Sequence, residues 1–180
     1  MHIAIVYESM YGNTHAIADQ VAAGFGAPFE VIVSSVDGAE DAIANAALVV
    51  VGGPTHAHSL TSTTSRDAAI KAAAEDDDLT LDAHAEDDGL RDWLAGLPEG
   101  HHRLAAAFDT RVDAAPILTG RASKGIAKRL RRHGFNVIAE PESFLVDKEN
   151  HLVAGEGERA RAWGAQLATL ISSDTSAANA

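Results

Sequence analysis

The feature that most constrains this chain is a hydrophobic period that switches back and forth between strand-like and helix-like along its length. His2 to Tyr7 is a short apolar run with β-branched and aromatic residues and reads as a buried strand; Phe29 to Ser34 reads as a second. Ala47 to Val51 is the most apolar run and stops abruptly at Gly52-Gly53-Pro54. A run without alternation suits a central parallel strand covered on both faces. Arg103 to Phe108 and Phe135 to Ala139 read as the fourth and fifth strands, and Phe144-Leu145-Val146 either continues the fifth or forms a small extra pairing. Between the strands lie helical patterns. Thr14 is a good N-cap for a helix with Ile17, Val21 and Phe25 at four-residue spacing. Further helices are predicted over Ala39 to Asn45, Glu86 to Leu97, Thr119 to His133 and Glu156 to Ile171. Strand–helix repeated five times implies one doubly wound parallel sheet, an α/β fold. A single domain over residues 1–171 with a frayed, disordered tail at 172–180 is the expectation. Residues 54 to about 85 are polar and resist assignment.

Composition narrows the function classes. With 46% hydrophobic and 22% charged residues the chain is not disordered as a whole. Without cysteine it has no disulfide, no thiolate metal site and no cysteine nucleophile. No basic n-region precedes a long apolar stretch and no run reaches membrane-spanning length, so a cytoplasmic protein without membrane insertion is expected. A net charge of -12 opposes nonspecific binding to nucleic acid or anionic membranes. Nine aromatic residues leave few candidates for any site that needs ring stacking.

In doubly wound sheets, ligands bind beyond the carboxyl ends of the strands. Three strand-end loops carry the chemistry. In Ser9-Met10-Tyr11-Gly12-Asn13-Thr14, hydroxyls, a carboxamide and free amides meet at a helix N-terminus, which favours an anion. A capped strand–helix turn is the competing reading. This loop resembles the phosphate-binding loop of the flavodoxin-like family, with hydroxyl residues around a Gly and a final Thr that opens the first helix. The resemblance implies a three-layer, five-stranded sheet of order 2-1-3-4-5, with Ser9, Met10, Tyr11, Gly12, Asn13 and Thr14 forming the phosphate loop of an FMN site. A typical flavodoxin has a small hydroxyl residue where Tyr11 stands; quinone-reductase relatives of the fold tolerate Tyr.

The second loop, Gly52 to Ser59, follows the third strand as the family's first flavin-ring loop does. By resemblance, the backbone of Pro54, Thr55, His56 and Ala57 lies against the isoalloxazine edge, with His56 or His58 near the ring. A metal site from His56 and His58 is weaker, because two histidines make only half of a tetrahedral set and nothing identifies the rest. The third loop, Phe108 to Asp113, matches the second ring loop and makes Asp109, Thr110 and Arg111 flavin contacts. A cation at Arg111 would stabilise a reduced, anionic flavin; the alternative is a surface Arg paired with Asp109 or Asp113. The Gly-rich elements and stacking aromatic usual in this loop are absent.

Other signals are weaker. Gly155 to Ala160 matches GxGxx(G/A), but no strand with an acidic residue follows. No GxxxxGK(S/T) is present, which excludes a P-loop NTPase. Gly52-Gly53-Pro54 occupies the place where a phosphoreceiver needs its acceptor Asp. Six of the 14 basic residues lie on one helix, Arg121, Lys124, Lys128, Arg129, Arg131 and Arg132, and read as a solvated face or as a docking surface for an acidic partner. The resemblance implies an FMN-binding flavoprotein that transfers electrons to or from a redox partner protein. The alternatives are an FMN-dependent NAD(P)H:quinone or protoporphyrinogen-type oxidoreductase, with residues 59–85 as a lid, and a cofactor-free binding or regulatory module of the same fold.

Overall fold

A computed structural model describes residues 1–56, 59–76 and 78–178. Its sheet is built on β1 (His2–Tyr7), β2 (Glu30–Ser35), β3 (Leu48–His56) and β5 (Leu104–Val112), with short β4 (Ser59–Leu60), β6 (Asn136–Val137) and β7 (Glu142–Val146). The order is β2-β1-β3-β5, with β6 and β7 sharing the fifth position, both parallel to β5. This is the doubly wound order 2-1-3-4-5 implied by the resemblance. The extra piece is β4, which folds back antiparallel on the end of β3. The fifth position divides because Pro141, lacking an amide proton, stands between the two pieces.

Register follows from strand alternation. Ala4 lies between Ile32 and Val49, and Val50 faces Ala106. Successive residues therefore point to opposite faces, and each face carries its own core. Ala4, Val6, Val49, Val51, Ala105 and Ala107 pack under α2 (Ala39–Ile43), α4 (Leu90–Gly96) and α6 (Ala122–Arg132). Ile3, Ile5, Tyr7, Leu48, Val50 and Phe108 pack under α1 (Asn13–Phe25) and α7 (Glu156–Ala178). The helix predicted to end at Ile171 runs on to Ala178. Phe108, Phe144 and Trp163 meet edge to face with centroids 6.1 Å apart, an arrangement the ring quadrupoles favour.

The segment that resisted assignment holds β4 and α3 (Thr63–Glu75). Helix α3 starts with a capping box, Ser62 and Ser65 each accepting from the other's amide, but buries only Ala69. With one buried residue it has no apolar stripe for the sequence to announce. The remaining short helix, α5 (Pro116–Thr119), follows the end of β5. No described helix is long and apolar enough to cross a membrane.

Candidate functional site

The site is organised by the turn from β1 into α1. Gly12 takes the N-cap position with φ +86°, and Thr14, the expected cap, lies inside the helix. The left-handed backbone here is open to glycine and costs other L residues about 1–2 kcal/mol. The Gly12 amide donates to Ser9 Oγ at 3.0 Å, closing the turn. No described acceptor meets the amides of Asn13, Thr14 and His15, the orphan donors of the first helical turn.

Thr14 turns its hydroxyl away from the helix terminus to Thr110, 2.7 Å away at the end of β5. Two hydroxyl protons meet there and their shared bond uses one, leaving one for a ligand. The Ser9 hydroxyl accepts from Gly12 and keeps its own proton to donate. These groups face a cavity of about 160 Å³ walled by the Ser9 to Thr14 turn, Pro54 to His56, Thr110 to Val112 and Asn150. Ligand pockets usually run from about 300 Å³ upward, so the cavity holds a phosphoryl group and part of a polyol chain. A fused-ring system would have to sit at its mouth. Neutral donors, orphan amides and a helix N-terminus are the donor set that suits a phosphate. The residues therefore fit the phosphate end of FMN.

The predicted residues divide by role. Ser9, Gly12, Asn13, Thr14, Thr110 and Arg111 come together. Met10 is buried in a small cluster with Ala69 and Ala85 while also lining the cavity. Tyr11 remains on the wall, its hydroxyl donating to the Ala69 carbonyl at 3.1 Å. Thr55 accepts from the Ala122 amide at 2.9 Å and so ties down the start of α6. Asp109 is fully buried and faces the same helix end, accepting from the Ser123 amide at 2.7 Å. It is not among the cavity walls. Ala57 and His58 lie outside the described residues. Arg111 pairs with neither Asp109 nor Asp113. Its Nη1 donates to the carbonyls of Ala114 (2.6 Å) and Val112 (3.3 Å), and no described carboxylate lies within 4.0 Å of it. Among the described residues its charge therefore stands at the cavity without a paired carboxylate.

His56 ends β3 as a strand residue rather than a loop residue, paired with Ser59. Burial holds its imidazole below the ordinary 6.5, against a smaller upward pull from Glu8. The unfolded chain takes up this proton near 6.5 and the folded one only at lower pH. The contribution of His56 to stability is thus complete above 6.5 and is lost as pH falls through the folded value. Urea unfolding at pH 7.5 and pH 5.5 should show a smaller loss of stability in His56→Gln than in the wild-type chain.

Three residues outside the predicted set hold the site together. Asn150, with φ +64°, accepts from Asn13 Nδ2 through its carbonyl (2.7 Å) and its own Oδ1 (3.1 Å). Asn tolerates that backbone, and Asp147 to Asn150 has the composition of a turn after a strand. Nothing local announces that the turn lies against residue 13. Glu8 is buried at the end of β1, where its carboxylate accepts from the Thr61 hydroxyl and from the Leu90 amide at 2.7 Å. Asp82 closes the far side of the loop, its amide donating to Met10 O at 2.8 Å and its carboxylate meeting His15 Nδ1 at 3.2 Å.

The sequence matches a known family and the fold matches solved structures. The family model described as Flavodoxin matches residues 5–100. Three solved structures share the fold. A flavodoxin from the domain Archaea has a TM-score of 0.64 at 19% identity over 96% of this chain and 99% of that one. Flavodoxin 1 from Bacillus cereus gives 0.63 at 19% identity over 94% and 98%. A flavodoxin, WrbA-like protein from Agrobacterium tumefaciens gives 0.59 at 18% identity over 96% and 98%. No curated protein matches the sequence. With residues 5–100 matched, more than half of its length, the chain belongs to the flavodoxin family.

Proposed function

We propose that this chain is an FMN-carrying electron-transfer protein that passes electrons to or from a separate redox partner. Members of the flavodoxin family bind FMN. The observation that carries the reading is the convergence of the orphan α1 amides with the Ser9, Thr14 and Thr110 hydroxyls on one small cavity. Bound FMN supplies the electron-accepting and electron-donating chemistry. The protein's part is to grip, orient and bias. Ser9, Thr14 and the α1 amides would hold the phosphate, Asn13 and Asn150 would close over it, and the walls from Pro54 to His56 and from Thr110 to Val112 would flank the ring. Arg111 favours negative charge on the ring, while the net charge of -12 opposes it and attracts a basic partner.

Segment 59–90 weighs for the carrier over the NAD(P)H:quinone reading. It is tied to the phosphate loop through Glu8–Thr61, Glu8–Leu90, Tyr11–Ala69 and Asp82–Met10, which suits a buttress better than a lid. Titration of the purified chain with FMN tests the proposal: flavin fluorescence should be quenched to an end point of one equivalent. Absence of quenching and of thermal stabilisation would leave the cofactor-free module as the reading. Consumption of NAD(P)H with a quinone and no added reductase would establish the enzyme instead. Thr14→Ala removes the contact to Thr110 and one donor, so the FMN dissociation constant should rise about tenfold while Thr14→Ser stays near wild type.

A further inference from the structure

We propose that Ile117 and Leu118 form an aliphatic cover over the isoalloxazine ring, replacing the stacking aromatic that this chain lacks; the inference rests on the FMN reading above. It begins with the fate of the nine aromatic residues. Tyr7, Phe25, Phe108, Phe135, Phe144 and Trp163 are buried in the two cores. Phe29 and Trp93 are packed against those cores from outside. Only Tyr11 reaches the cavity. Phe108, placed by its sequence position next to a ring loop, points into the opposite core beneath the sheet.

What the ring loop presents instead is aliphatic. Ile117 is 88% exposed and Leu118 69%, the two highest values among the large hydrophobic residues that reach the surface. Val112, a cavity wall, is exposed beside them in the chain. Scattered single apolar residues on a surface need no explanation, but a pair this exposed on one short helix beside a ligand cavity does. The position of α5 is set from both ends. Arg111 Nη1 reaches Thr119 Oγ1 at 3.4 Å and Ala114 O at 2.6 Å, joining α5 to the end of β5. Past Gly120, the Ala122 amide is bonded to Thr55 at the end of β3. Helix α5 is therefore anchored to both segments that wall the cavity without itself lining it. It stands outside the space a phosphate would fill, and a ring too large for that space would extend toward it. Branched aliphatic side chains make good dispersion contacts with a flat heterocycle, and the pair leaves water only when something covers it.

The test uses the full chain and the Ile117→Ser/Leu118→Ser double variant. Wild-type and variant are titrated with FMN by fluorescence, and both are melted with and without inorganic phosphate. The FMN dissociation constant should rise about tenfold for each side chain removed, roughly a hundredfold for the pair. The apo melting temperature and the shift caused by inorganic phosphate should stay unchanged, since the replaced side chains are exposed and lie away from the phosphate donors. Leu118→Trp should tighten FMN binding and shift the visible absorption of the bound flavin. Wild-type binding with an unaltered constant in the double variant overturns the cover and leaves the FMN reading standing. No FMN binding by the wild-type chain overturns both.

Discussion

Gly12→Val is expected to weaken FMN binding about a hundredfold while leaving the chain folded. The reason is the backbone and not the space. A Cβ at position 12 would meet nothing closer than Asp82 Oδ2 at 3.9 Å, an ordinary contact. The backbone, however, sits at φ +86° and ψ -17°, in the left-handed region, where a β-branched residue is a true outlier. If valine keeps the turn, the chain carries about 1–2 kcal/mol of strain. If the turn relaxes, the Gly12–Ser9 bond is lost and the orphan amides of α1 no longer converge. Hydrogen bonds to a charged group are worth about 1.5–3 kcal/mol each, so losing one or two gives the hundredfold figure. Gly12→Asn is the control, because Asn enters the left-handed region readily and should bind FMN within about tenfold of wild type. Equal losses for Val and Asn would mean that the conformation of residue 12 is not what matters.

Gly164→Ala is expected to destabilise the chain by about 3 kcal/mol, a fall in melting temperature of roughly 6–12 °C for a domain of this size. Helix propensity alone has the opposite sign, since alanine in place of an interior glycine gains about 1 kcal/mol. Packing decides. An ideal Cβ on Gly164 would lie 2.1 Å from the Val21 carbonyl oxygen and 3.2 Å from Gly24 Cα. Reciprocally, a Cβ on Gly24 would lie 2.1 Å from the Arg161 carbonyl oxygen. Helices α1 and α7 thus cross backbone to backbone, and a backbone carbonyl cannot swing aside as a side chain can. Admitting one methyl group forces the helices apart and opens the core around Ile17, Val21 and Leu167. Gly157→Ala on the same helix meets only Gln20 Cγ at 3.7 Å and should be neutral or stabilising. Thermal unfolding of the two variants side by side separates packing from propensity. A stabilised Gly164→Ala would refute the close crossing.

Much of the architecture was legible in local pattern. Apolar runs such as Leu48 to Val51 can be buried only in a sheet covered on both faces, and the β1–α1 loop advertised its chemistry because hydroxyls, a glycine and a helix start were consecutive. The end of β3 was less legible: a strand that continues through His56 and turns back through β4 does not look different from a polar loop. Helix α3 was missed because a helix with one buried residue has no period to read.

Sequence by itself determined the alternation of strands and helices and the gathering of hydroxyls, a glycine and a helix start at the β1–α1 turn, because strand burial and helix periodicity are settled by neighbours a few residues apart. The strand order was implied by the family resemblance. Tertiary structure alone decided the partners: Thr110 for Thr14, Asn150 for Asn13, Thr61 and Leu90 for Glu8, and the α6 terminus for Asp109. These contacts join residues from 14 to 137 positions apart, and a hydroxyl, carboxylate or carboxamide satisfies its hydrogen bonds with whatever the fold brings within 3 Å. The same holds for Phe108, whose place next to a ring loop the sequence states but whose burial in a core follows only from packing.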